Sequence, residues 1–239
     1  MAHAGGGSAN AYLDHVSDWL ASRPVVSLRG LLAAHGGPGA AAVFCVDMTR
    51  GFCTEGGLAS PRVASIIPAV ARLLTRAHEA GIRRFYLPQD CHAPDAAEFA
   101  QYGAHCVAGT AEADLVPELA DLPFAGAFVV IPKNTVASHV ATGLDARLDG
   151  DGWPGLCIVA GDCTDICVYQ LAIHLRARAN AQRADTAVVV PAACVQTYDL
   201  PVAAALGVGA VPHDGDLLHR VFLHHMALNG VLVVSEVAP

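Results

Sequence analysis

Six short runs of apolar residues recur along the chain, at 41–47, 83–88, 127–131, 156–160, 186–190 and 231–235. Most are apolar at nearly every position and lack the one-sided alternation of a strand that faces water. Between them the periodicity changes to three and four. Residues 61–80, 137–148, 164–179 and 216–228 read as helices, the first with Pro61 near its start and Gly81 just past its end. Ahead of the first run, residues 12–22 place Leu13, Val16 and Leu20 on one face and predict a further short helix, after a flexible start over 1–10. Buried strands alternating with helices predict a parallel sheet covered on both faces. The expected fold is α/β: a single three-layer domain over 41–239 with a six-stranded, mainly parallel sheet, plus an N-terminal extension over 1–40. The helix in that extension must bury its apolar face on the core or on a neighbouring subunit, and a homo-oligomer is expected.

Composition narrows the function. The 239 residues are 54% hydrophobic and 15% charged, with a formal charge of −8 and no basic run, which argues against nucleic acid as a partner. No apolar stretch approaches the roughly 18–20 residues of a membrane span. Residues 1–10 show no secretory signal. Eight cysteines, several inside the apolar runs, suit reduced thiols better than a disulfide scaffold and point to the cytoplasm. Of the 14 basic residues only Lys133 is a lysine. Arginine can stand in wherever a positive charge suffices, but not where a compact point charge must pack.

In parallel sheets, sites form at the carboxyl ends of the strands. The first run ends in Asp47, the second leads to Asp90 and His92, the third to Lys133, and the fourth to Gly161, Cys163 and Cys167. Cys167 falls in the first turn of a helix, where free backbone amides favour a thiolate and could hold an oxyanion. With Asp47 to move its proton and Lys133 to steady both anions, the three could cleave an amide through an acyl-enzyme. Taken singly, each has a plain structural reading: a small buried thiol, a strand-end cap and a surface charge.

Five segments together resemble the isochorismatase-like cysteine hydrolases and, within them, the nicotinamidases. They are 46–58, 90–99, 105–110, 161–168, and Lys133-Asn-Thr with 142–145; the likeness runs in order from about Ala41 to Val234. The resemblance implies Asp47, Lys133 and Cys167 as a catalytic triad and a small-molecule amide as substrate. It implies an oxyanion hole from the amides of Cys163 and Cys167, with a cis peptide before Cys163. It implies a divalent metal, zinc first and then iron or manganese, on Asp90, His92, Glu98 and His105, with Glu98 the variable ligand. Phe52 and Tyr102 match the aromatic residues that sandwich the substrate ring.

Residues two apart on an extended chain point the same way, so Asp90 and His92 can converge on one ion. A rival set of Cys91, His92, His105 and Cys106 suits zinc less well, because adjacent residues rarely converge. Two departures from the family pattern bear on the substrate: Arg50, in the first motif, and His139, counted among the substrate-binding residues where the family usually has phenylalanine. They keep open a carbamoyl, ureido, maleamate-type or isochorismate-like substrate. A catalytically silent binding protein of the same fold is the remaining alternative. His213, His219, His224 and His225 are read as a helix face or subunit contact rather than a second metal site.

Overall fold

A computed structural model describes residues 9–239; most of the flexible start expected over 1–10 lies outside the described residues. The strands are β1 (Val25–Ser27), β2 (Ala41–Val46), β3 (Arg84–Asp90), β4 (Phe128–Lys133), β5 (Leu156–Asp162), β6 (Ala187–Pro191), β7 (Val195–Gln196), β8 (Leu232–Val234) and β9 (Glu236–Ala238). The main sheet runs β4-β3-β2-β5-β6-β8, with β7 added beside the end of β5, and every pairing in it is parallel. All six expected strands are present within a few residues of their expected bounds.

The apolar runs are continuous because both faces of the sheet are covered. Along β2, Ala41, Val43 and Cys45 enter one core while Ala42, Phe44 and Val46 enter the other. β5 does the same, with Leu156, Ile158 and Ala160 on one face and Cys157 and Val159 on the opposite one. This is the two-residue alternation of a strand, with apolar partners on both sides. The helix Ile67–Glu79 covers the first face through Val70, Leu73, Leu74 and Ala77. Helices Leu144–Gly150, Cys167–Gln182 and Gly215–Leu228 cover the second. The chain is thus a single three-layer α/β domain.

Two expected helices differ. The one expected over 61–80 is broken into Pro61–Ala64 and Ile67–Glu79, and Pro68, which has no N–H to donate, falls in the first turn of the second piece. The one expected over 137–148 shrinks to Leu144–Gly150, because Ala141 takes a left-handed backbone (φ 53°) that no helix can include. At the N-terminus, helix Ala9–Ala21 buries Val16 and lies on helix Gly215–Leu228, where Trp19 meets the His224 ring edge-on at 4.9 Å. Behind it, β1 pairs in parallel with β9, so Val25 lies opposite Glu236. Neither of these two three-residue strands was expected from the sequence.

Strand order reverses between β2 and β5, which makes their carboxyl ends the topological switch point. The two strands come very close there. Gly161 sits opposite Val46 with φ +111°, and a Cβ on it would stand 2.0 Å from the Val46 carbonyl oxygen. Only glycine fits that position.

Candidate active site

Four strand ends deliver the site. Asp47 follows β2 with a left-handed backbone (φ 53°), its N–H donating to the Pro88 carbonyl at 2.9 Å. Asp90 ends β3 and Lys133 ends β4, and the two are direct neighbours in the register. Parallel neighbours in register show their side chains on one face, so the pairing alone brings the carboxylate to the ammonium. Lys133 Nζ lies 2.8 Å from Asp47 Oδ2, 2.5 Å from Asp90 Oδ1 and 3.7 Å from Cys167 Sγ. Asp47 Oδ1 accepts the Asp90 N–H at 2.7 Å. Asp47, Lys133 and Cys167 are all buried.

Burial sets the proton inventory. It pushes Asp47 up, against the pull of Lys133, to about 6. At Asp90 the same burial is overcome, above all by the Lys133 ammonium, which holds the carboxyl well below the usual range. Lys133 is held well above its usual value, because Asp47, Cys167 and Asp90 outweigh its burial. The Cys167 thiol is also pushed well up by burial, with Lys133 opposing. A helix start was expected to bias Cys167 toward thiolate. In the folded protein burial pulls the other way, toward the thiol.

The peptide bond between Asp162 and Cys163 is cis. Cys167 opens the helix Cys167–Gln182, which has no side-chain cap. The N–H groups of Cys163 and Cys167 find no acceptor among the described residues, and both residues border the main cleft. Two free amides beside a thiol can hold a carbonyl oxygen that gains charge.

That cleft has a volume of about 930 Å³. Phe52 and Tyr102 both border it and both meet His105, with ring centroids 5.5 and 6.2 Å from the imidazole. Beside them Asp90, His92, Glu98 and His105 bring their ligand atoms within 4.8 Å of one another. The Asn134 side-chain oxygen accepts the Ala93 N–H at 3.1 Å, so it must also accept from His92 Nδ1, likewise at 3.1 Å. His105 Nδ1 in turn donates to the Gly103 carbonyl at 2.8 Å. Both rings therefore carry their proton on Nδ1 and turn a bare Nε2 inward, the two nitrogens 3.1 Å apart. Two facing lone pairs beside an ionised Asp90, with buried Glu98 Oε1 lacking any partner, fit a divalent cation. The rival set does not form: Cys106 Sγ turns to Thr49 at 3.6 Å and to the Glu112 carbonyl.

Two expected residues stand elsewhere. His139 stacks face to face on His174 at 3.9 Å and does not border the cleft. Arg50 is tied to Glu55, its Nε donating at 2.9 Å. The histidines grouped together in the sequence also disperse. His224 packs under the N-terminal helix, His225 meets Tyr169, and His219 meets Thr164, but His213 borders the cleft with Tyr198 and Asp165. Sequence reasoning missed Asn134, Asp165, Tyr198 and the cleft position of His213; Asn134 could have been found as the polar residue directly after the strand-end lysine.

A doubly wound parallel sheet whose switch point opens on a cleft bordered by carboxylates, histidines and thiols is the architecture of an α/β enzyme. Residues 41–213 match the isochorismatase domain family, and the chain belongs to that family. It is 30% identical over 216 residues to nicotinamidase 1 of Arabidopsis thaliana, covering 81% of this chain and 84% of that one. A cysteine hydrolase from Pseudomonas syringae shares the fold with a TM-score of 0.67 at 20% identity, over 90% of this chain and 94% of the other. The zinc complex of Pyrococcus horikoshii pyrazinamidase does so with 0.63 at 23% identity, over 82% and 98%. The protein is therefore a nicotinamidase-like hydrolase of this superfamily, acting on a carbon–nitrogen bond. No helix among the described residues is long and apolar enough to cross a membrane.

Proposed function

We propose that the protein is a metal-assisted cysteine amidohydrolase that cleaves a small, neutral, planar carboxamide, with nicotinamide the first substrate to test. The observation that carries the reading is one buried ammonium touching Asp47, Asp90 and Cys167 beside a four-residue donor set.

Asp47, ionised above about pH 6, takes the Cys167 proton as the sulfur attacks the amide carbon. Lys133 stays protonated and offsets the charge passing between sulfur and carboxylate. The N–H groups of Cys163 and Cys167 hold the oxyanion. As the C–N bond breaks, Asp47 returns the proton to the leaving nitrogen and ammonia departs, leaving a thioester. Asp47 then takes a proton from water, whose oxygen attacks the thioester carbon; the acid leaves and the thiol is restored. Phe52 and Tyr102 hold a planar ring between them. A divalent cation on Asp90, His92, Glu98 and His105 would supply a Lewis-acidic anchor for a ring nitrogen or for ordered water, and the zinc in the P. horikoshii structure makes zinc the first metal to try.

Charge favours a neutral substrate over an anionic one. Among the described residues no arginine or lysine borders the cleft, so it offers a substrate carboxylate no guanidinium or ammonium partner. Arg50 and His139 had motivated a maleamate- or isochorismate-like substrate, and both are engaged outside the cleft. A silent binding protein would have no need of a buried thiol held against an ammonium. The eight unpaired cysteines suit a cytoplasmic protein, and self-association remains part of the proposal.

The test is ammonia and nicotinate release from nicotinamide by the zinc-loaded protein, with Cys167→Ala as control. Cys167-dependent turnover supports the reading. If nicotinamide is inert but another carboxamide is cleaved through Cys167, the substrate is wrong and the mechanism stands. Turnover that survives Cys167→Ala removes the mechanism.

A further inference from the structure

One wall of the cleft is an excursion of the chain that closes on itself. Leu200 and His213 pair as an antiparallel bridge, N–H to carbonyl in both directions at 2.8 and 2.9 Å. Between them run the helix Val202–Val208, which buries only Ala205, and a return through Gly209 with a left-handed backbone. Val202, Leu206, Val208 and Val211 are exposed, Val211 by 83%. The inner side, 208–212, borders the cleft. With so little buried, the excursion has few contacts of its own to hold it in place.

What ties it down is His213. Its Nε2 lies 2.7 Å from Asp165 Oδ2 and its Nδ1 lies 3.0 Å from the Tyr198 carbonyl oxygen. Both partners are acceptors, so the ring satisfies both only as the imidazolium, donating from each nitrogen. The Tyr198 ring stacks on it at 3.9 Å. The two side chains of the pair are 9% and 6% exposed, which protects the contact from solvent screening. Asp165 stands two residues before Cys167, in the turn that leads to it and borders the cleft.

We propose that Asp165 and His213 are positioning residues, whose ion pair latches the 200–213 flap to the turn carrying Cys167 and so fixes the wall against which substrate is held. Burial would raise the Asp165 carboxyl, but His213 and Thr197 hold it below the usual range, so it stays ionised. A neutral ring has a single N–H for these two acceptors, so when His213 loses a proton either Asp165 or the Tyr198 carbonyl loses its bond, the ion pair is gone and the flap is loosened. The other ionisable groups nearby do not replace the latch. Burial holds the Tyr198 phenol well up; Asp199 and Asp214 accept the N–H groups of Gly215 and Leu217. His219, on the final helix, is pushed down to about 4 by burial and by Arg62, and it remains neutral.

The kinetic part of this inference rests on the amidase reading; the flap itself does not. The experiment is hydrogen exchange of the flap peptide, corrected for intrinsic rates, with nicotinamide KM and kcat measured alongside, from about pH 6 to about pH 8.5 to span histidine titration. In the wild type, flap exchange should quicken at least tenfold over that range and KM should rise while kcat changes less. Asp165→Asn, nearly the same size, offers N–H to the neutral ring or C=O to the charged one, so it should keep the flap protected with no pH step. Asp165→Ala should leave it loose at both ends of the range. A wild-type flap with no pH step, or the same step retained in Asp165→Asn, overturns the latch. If no variant hydrolyses nicotinamide, the amidase reading fails and the exchange data alone decide.

Discussion

Replacing Lys133 by arginine keeps the charge and changes only its shape, which makes it the sharpest probe of the site. The ammonium has three N–H donors and three partners, at 2.8, 2.5 and 3.7 Å, in a fully buried pocket. A guanidinium is planar and larger, and it cannot direct three donors from one atom. Overpacking a filled site of this kind costs about 1–3 kcal/mol. In a chain of this length that corresponds to a fall in Tm of about 2–4 °C per kcal/mol. Catalysis should suffer more than stability, since a shift of about 1 Å between reacting groups costs on the order of 10²-fold in rate. Lys133→Met gives the contrast. It leaves two buried carboxylates without their cation and should cost about 3–5 kcal/mol, the loss found when a buried ion pair is broken from one side. Coupled ammonia detection gives kcat/KM, and urea unfolding gives stability. If Lys133→Arg holds kcat/KM within about threefold of the wild type, far short of the loss expected from misplaced reacting groups, the need for a compact ammonium is refuted.

Four further outcomes follow from the same geometry. Asp47 must be ionised to accept the thiol proton, so kcat/KM should rise with pH through about 6 and level off above it, and a profile flat down to pH 5 would remove Asp47 as the base. Asp47→Asn should reduce turnover by roughly 10²–10⁴-fold, the contribution typical of a positioned base, and near-normal turnover would refute that role. Asn134→Ala removes the acceptor that fixes His92, so zinc affinity measured against a competing chelator should fall about 10–100-fold, whereas unchanged affinity would mean that Asn134 does not orient the ligand. Gly161→Ala drives a methyl into the Val46 carbonyl and should prevent accumulation of folded protein, with soluble, active enzyme as the contrary result.

Much of the catalytic layout was legible because it depends on order along the chain. Asp47, Asp90, Lys133 and Cys167 each follow an apolar run, and a parallel sheet gathers such positions on one edge. Of the donor set, only Asp90 and His92 could be read from the strand order; Glu98 and His105 came with the family resemblance. What could not be read depends on contacts between distant segments. Nothing local in Val25–Ser27 or Glu236–Ala238 announces a strand, since each has only the other as partner. The left-handed turn at Ala141 carries no glycine to mark it. His213 looked like its neighbours on the last helix until the bridge to Leu200 turned it into the cleft. The pull of the helix start on Cys167 is visible in sequence, whereas the burial that opposes it is not.

The pairing of β1 with β9 also bears on how the protein is made. Residues 25–27 leave the ribosome early, yet their hydrogen-bonding partners at 236–238 are synthesised about 200 residues later, which at typical translation rates is a delay on the order of 10–40 s. Until then the helix Ala9–Ala21 also lacks its seat on Gly215–Leu228 and shows its apolar face to the cell. Until 236–238 are made, the chain therefore carries a strand without its partner and a helix without its seat. A chain broken off by a premature stop never gains either, and chaperones or proteases that read apolar surface can sort broken chains from finished ones.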